Sequence, residues 1–138
     1  MLQVQTPLNT TNKTRKVLSK RADRAWSTVV KVNAGFKCEV CGSDCLLDPH
    51  HFVDRDVEIL RHCTKNGVCL CRRCHNQAEE CKDWFDRWML KYRPQDYRFC
   101  KLQEKIIFKP TISYLRDIVE DLEKACQIRE IDPAIEFR

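Results

Sequence analysis

No apolar run in this 138-residue chain approaches the ~18–20 residues needed to span a bilayer, which argues against a membrane partner. The opening stretch LQVQTPLNTTN is polar and lacks the apolar segment of a signal peptide. These two absences give the expectation of a soluble, cytoplasmic protein. There is no internal repeat, and the only biased tract is the Thr/Asn-rich N-terminal arm, residues 1–14. Glycine is scarce: of three, Gly35 closes a helical pattern, Gly42 bounds a compact stretch and Gly67 follows Asn66. Histidine is nearly as rare, yet two of the four stand side by side in LDPHHF, residues 47–52.

Cysteine, by contrast, is plentiful. Ten cysteines in an intracellular chain serve metals or stay reduced rather than pairing as disulfides. Cys38-x2-Cys41 and Cys71-x2-Cys74 form two knuckles with 29 residues between them. Zn²⁺ takes four soft ligands in a tetrahedron, and a two-residue spacer lets both thiolates of a knuckle reach one ion. A structural Zn²⁺ on these four is expected, with Cys45 as a rival ligand beside Cys41. Cys63, Cys69, Cys81, Cys100 and Cys126 lack a knuckle partner and read as small buried hydrophobes.

The formal charge of +5 is unevenly spread. Residues 1–76 carry 13 Lys/Arg against 7 Asp/Glu, residues 77–110 carry 8 against 6, and residues 111–138 carry 4 against 7. Four thiolates and one Zn²⁺ would add about −2, leaving the first half basic but less so. A basic, motif-bearing half suggests a phosphate-backbone partner; a merely solvated face is the plain alternative.

Apolar spacing predicts a helix over roughly 15–32, with Val17, Leu18, Ala22, Ala25, Trp26, Val29 and Val30 as its packed stripe. Residues 36–70 contain short β-like runs. From Cys71 the pattern turns helical without a break through CRRCHNQAEECKDWFDRWML, its aromatic face (Trp84, Phe85, Trp88, Met89, Tyr92) packing on the first helix. A short helix around 95–105 follows Pro94, and Thr111 caps a last helix whose face carries Ile112, Leu115, Ile118, Val119, Leu122 and Cys126. The fold class is α+β and mainly helical.

The residues from CEVCG through DPHHF to NGVCLCRRCH resemble the HNH nucleases of the ββα-metal, or His-Me finger, class, in their phage-type form. The likeness covers residues 24–92. It implies an HNH domain over 15–92 with a zinc-stapled ββα core at about 36–82, and a helical extension over 93–138. In that likeness His50 and His75 hold one divalent ion (Mg²⁺, Mn²⁺, Ni²⁺ or Co²⁺), His51 is the general base, and Asn66 fixes the loop that orients His51. The implied activity is metal-dependent DNA endonuclease, leaving 5′-phosphate and 3′-hydroxyl ends. Phosphodiester hydrolysis needs a base for water and a cation for developing charge, and a neutral imidazole suits the first task.

Several alternatives stay open. Asn66-Gly67 is also the commonest two-residue hairpin turn. Glu79, where relatives often carry a second histidine, is either a third metal ligand or a solvated carboxylate. Both histidines of the pair cannot face one phosphate from a regular strand, so a strand end or a bulge near Pro49 is required. His62 fits no motif and reads as surface or loop. Arg55, Arg61, Lys65, Arg72 and Arg73 are expected around the site as contacts to double-stranded DNA, with Lys16, Lys20 and Arg21 on the first helix as a second contact. The rival readings are a non-catalytic zinc-binding nucleic-acid module, and an interaction module whose acidic last helix docks a homodimer mate or larger partner.

Overall fold

In the computed structural model, residues 6–131 are described, with side chains from 11 to 127. The elements are α1 (Thr6–Asn33), β1 (Leu47–His51), α2 (Glu58–Arg61), β2 (Gly67–Cys71), α3 (Arg72–Glu80), α4 (Lys82–Tyr92), α5 (Pro94–Gln103) and α6 (Ile112–Ile131). The chain is therefore mainly helical around a small two-stranded antiparallel sheet. No described helix is long and apolar enough to cross a membrane.

Helix α1 begins at Thr6, well inside the stretch expected as a loose arm; residues 1–5 lie outside the described residues. Pro7 falls in its first turn, where a missing N–H has no intrahelical partner to lose. At the other end Gly35, with φ +64°, donates to the Val32 carbonyl while Phe36 donates to Lys31. This is a Schellman closure, in which glycine takes the left-handed position at least cost. Along the helix Ala22, Ala25, Trp26, Val29 and Val30 are buried as their spacing requires, while Val17 is exposed.

The sheet separates two apolar clusters. Cys69 on β2 faces α1, which in turn packs along α6 through Val119 and Leu122. Val68 and Leu70 face the opposite way, against Cys38, Cys71, Cys74, Ala78, Phe85 and Met89. Both Cys69 and Leu70 are fully buried because both faces of β2 are covered. A third cluster, Val53, Leu60 and Cys100, fills the space under the β1–β2 connection.

Two expectations change here. The helix after Cys71 is broken at Cys81 (φ −129°, ψ 79°), giving α3 and α4 rather than one element. Phe85 and Met89 of α4 are buried against the cysteine-rich cluster with Trp84 and Trp88 partly buried beside them, not on α1, whose principal partner is α6, and Tyr92 is exposed. Cys81 is exposed, unlike the buried Cys69 and Cys100. Thr111 caps α6 as expected, its hydroxyl accepting from Tyr114 N–H at 3.1 Å.

Candidate functional site: a four-cysteine cluster beside a histidine cavity

One ligand atom each from Cys38, Cys41, Cys71 and Cys74 lies within 4.8 Å of all the others. Cys41 N–H points to Cys38 Sγ and Cys74 N–H to Cys71 Sγ, both at 3.5 Å. Such amide donors favour sulfur that carries negative charge. Burial, reinforced by hydrogen bonds among the four sulfurs, pushes the Cys74 thiol far above the usual range. Four thiolates this close together need a cation between them to balance their charge, and an all-sulfur donor set fits a structural Zn²⁺. Cys45 is outside the set: it is exposed, with its Sγ 3.6 Å from Asp44 Oδ1.

The cluster also sets the register of the sheet. It ties the loop before β1 to the start of α3, so that β1 pairs β2 in regular antiparallel order, Leu47 opposite Cys71 and His51 opposite Gly67. Pro49 pairs within this register opposite Cys69, and the strand does not bulge there. Proline is tolerated because β1 is an edge strand.

His50 and His51 consequently face opposite sides of the sheet. His50 turns towards α3 and α4, with ring centroids 4.9 Å from His75 and 5.1 Å from Phe85. His51 turns towards α1 and stacks on Trp26 at 4.0 Å with planes 9° apart. Its strand partner Gly67 makes the room, since a Cβ there would collide with Val30 Cγ2 and come within 2.8 Å of the Trp26 ring. Because His51 is the last residue of β1, both histidines still line one cavity of about 550 Å³ at the strand end. The strand end, not a bulge, reconciles the tandem pair with one site.

Across that cavity His75 sits in the first half of α3. Its Nδ1 lies 3.1 Å from Asp48 Oδ2, and its Nε2 lies 2.8 Å from Glu79 Oε1 one helical turn on. A carboxylate can only accept, so a neutral His75 gives its one proton to one of them. Proton on Nδ1, towards Asp48, leaves the Nε2 lone pair facing Glu79, the usual carboxylate-histidine-metal arrangement. Ligand atoms of His50, His75 and Glu79 lie within 4.8 Å of one another, and this donor set fits a first-row divalent ion. Burial, then the charges of His75, His51 and Lys82, lower His50 to about 4, so its lone pair is free at neutral pH.

His51 is held differently. Its Nε2 is 2.9 Å from the Arg61 carbonyl, an acceptor only, so that nitrogen carries the proton and Nδ1 carries the lone pair. Burial lowers its pKa, with the Arg61 carbonyl pulling the other way and the Arg55 charge adding to the lowering. The carbonyl is itself fixed. Asp23 on α1 accepts from Arg61 Nε and Nη2 at 3.0 and 2.8 Å and lies 2.8 Å from His62 Nε2. His62, read from the sequence as surface or loop, lies in the turn after α2 but is a buried member of this network. Asp23 is held well below the usual carboxylate range: burial alone would raise it, and the bonds from His62 and Arg61 outweigh that.

Asn66 pins the same connection from inside. It is fully buried in a short 3-10 turn before β2; its Oδ1 accepts from Val53 N–H at 2.7 Å and its Nδ2 donates to the carbonyls of Val53 (2.9 Å) and Leu60 (3.2 Å). The strands are joined by the long connection over residues 52–66, so Asn66-Gly67 is not a two-residue hairpin turn, and Gly67 has φ −107°.

The cations are less gathered than the sequence suggests. Arg55 lines the histidine cavity, and so does Lys82, which spacing does not single out. Arg61 is turned to Asp23, Arg72 pairs with Asp48 at 2.8 Å and Arg21 with Glu123 at 2.7 Å. Lys65 lies over the Phe99 ring at 4.3 Å, away from the cavity. Arg73 lines a separate depression with Cys45 and Arg72, and Lys16 lines another beside Pro110. Lys16, Lys20 and Arg73 make no ion pair among the described residues. Sequence reasoning also misses Asp48, Asp23 and Trp26; the parity of Asp48 with His50 on one strand is the available signal for the first.

No family model, no curated protein and no solved structure matches this chain.

Proposed function

We propose that the chain is a metal-dependent endonuclease of HNH type with a ββα-metal core, hydrolysing DNA phosphodiesters at the β1–α3 cavity. The observation that carries this reading is the sharing of one cavity by His51, with a free ring nitrogen, and the His50, His75 and Glu79 donor set. His50, His75 and Glu79 would hold one divalent ion, which supplies charge stabilisation for the phosphate and leaving oxygen.

The chain's own residues do the rest. His51 Nδ1 takes the proton of the attacking water, and Nε2–H on the Arg61 carbonyl keeps the ring in that tautomer. Trp26 fixes the plane of the imidazole, and Asn66 and Asp23 hold the segment that carries the carbonyl. Arg55 and Lys82 supply positive charge at the cavity rim for the scissile phosphate.

One observation favours a second reading, a non-catalytic zinc module that binds nucleic acid. A doubly protonated His75 would satisfy Asp48 and Glu79 together as a structural ion cluster, with no metal needed. Plasmid nicking across several divalent metals separates the two. Metal-dependent nicking that is lost in His51→Ala supports the nuclease, and DNA binding without nicking under any metal supports the module.

A further inference from the structure

On the side of α4 away from the histidine cavity lies an open cleft of about 700 Å³. Its walls carry Trp84, Trp88 and Tyr92 together with Arg87 and Lys91. Helical spacing explains the row: residues 84, 88 and 92 fall one turn apart on one stripe of α4, and Phe85 anchors it from beneath. Phe85 is buried and stacks on Trp88 with planes 6° apart at 5.6 Å, and Trp88 meets Tyr92 at 5.5 Å.

Three features mark this stripe as more than core. Trp84 and Trp88 are only partly buried and Tyr92 is 59% exposed, with Lys91 Nζ 5.2 Å from its ring centre, so aromatic surface remains open to solvent beside a cation. The aromatics are Trp and Tyr rather than aliphatic residues, interleaved with cations. Over residues 82–93 there are four Lys/Arg (Lys82, Arg87, Lys91, Arg93) against two Asp (Asp83, Asp86). Arg93 is turned inward, donating to the Gly67 carbonyl at 2.7 Å and shared between Asp96 at 2.8 Å and Glu39 in the wall at 3.4 Å, and Glu39 also accepts from Cys69 N–H. Arg87 reaches Asp83 at 3.1 Å across a pair exposed on both sides, which a phosphate can displace at little cost.

We propose that this cleft is a stacking site for the bases of single-stranded nucleic acid, with Trp88 and Tyr92 as the platform and Arg87 and Lys91 meeting the backbone. Stacked aromatics beside a cationic edge are the general solution to binding a strand whose bases are unpaired, because every base offers a π-face. An acidic peptide would use the cations but gain nothing specific from the rings, and duplex DNA keeps its base faces covered. The site requires no cleavage activity and would stand if the chain cut nothing.

Of the three tryptophans, Trp26 is buried under His51 and the other two line the cleft, so their fluorescence reports on it. The zinc-loaded full chain is titrated, without added divalent metal, with an oligothymidylate, an abasic strand of the same length, and a duplex. Saturable quenching by the oligothymidylate is expected, with the abasic strand binding about tenfold more weakly and the duplex, wherever it binds, quenching little. Tyr92→Ala, at an exposed position, should weaken the oligothymidylate about tenfold while zinc content and circular dichroism stay those of the wild type. Equal binding of the abasic strand would reduce the cleft to a charge effect and overturn the proposal. Unchanged affinity in Tyr92→Ala, or no saturable quenching by the oligothymidylate, would overturn it too. Since no divalent metal is added, this result is independent of whether the protein nicks DNA.

Discussion

Replacing Asn66 with alanine removes three hydrogen bonds at once, in a place that water does not reach. Val53 N–H, the Val53 carbonyl and the Leu60 carbonyl would each lose a partner at 2.7, 2.9 and 3.2 Å. An intramolecular hydrogen bond contributes about 1 kcal/mol net, and an orphaned buried group costs about 1–3 kcal/mol, so a total of roughly 2–4 kcal/mol is expected after partial relaxation. At about 3–5 °C per kcal/mol for a chain this size, the thermal midpoint should fall by roughly 10 °C. Asn66→Asp sharpens the point because it keeps the shape. Its second oxygen would face two carbonyls, and burial would raise its pKa above the unfolded value of about 3.9. The penalty is therefore smallest below about pH 4, where the acid is protonated and can donate once, and grows as pH rises. Urea unfolding followed by tryptophan fluorescence, with wild type and variant side by side at each pH, measures both variants. A loss below about 1 kcal/mol for Asn66→Ala, or a milder penalty for Asn66→Asp at neutral than at acid pH, would show that these bonds do not hold the connection.

The metal sites and the Asp23 network give three more expected outcomes. Metal analysis should give one Zn²⁺ per chain, lost in Cys71→Ser and retained in Cys45→Ser, because Cys45 lies outside the cluster. Asp23 has a folded pKa held below its unfolded value of about 3.9, so its contribution is present above that pH and lost as the pH falls further. The stability gap between wild type and Asp23→Asn should thus shrink between roughly pH 5 and pH 2 in chemical denaturation. Asp48→Asn removes the partner that fixes the His75 tautomer and should weaken Mn²⁺ binding at the second site about 10–100-fold by calorimetry, with zinc content unchanged.

Features that depend on short-range spacing are legible in the sequence. The two cysteine knuckles, the buried stripe of α1 with its Gly35 closure, and the Thr111 cap each rest on residues within a turn or two of one another. The break at Cys81 is not legible, because neither glycine nor proline marks it and both flanking segments keep a helical pattern. The Asp23 network joins residues 38 and 39 positions apart, a distance over which periodicity carries nothing. Charge counting points to a basic half, yet it cannot tell that Arg61, Arg72 and Arg21 are already matched with carboxylates. The tandem histidine suggests one site that needs a strand end or a bulge. The strand is in fact regular, the two rings face opposite ways, and the cavity at the strand end reaches both.

If His51 is a base poised beside a metal-binding histidine pair, its loss must stop the chemistry and spare everything else. Supercoiled plasmid incubated with wild type and His51→Ala, side by side in Mn²⁺, Mg²⁺, Ni²⁺ and Co²⁺, puts this to the test. The wild type is expected to nick with at least one of these ions and to leave 5′-phosphate ends. His51→Ala should lose about 10²–10⁴-fold in rate at equal zinc content and equal DNA binding. Nicking that survives unchanged in His51→Ala would contradict the assigned base, and a wild type that binds DNA but nicks it under none of the four ions would contradict the nuclease itself.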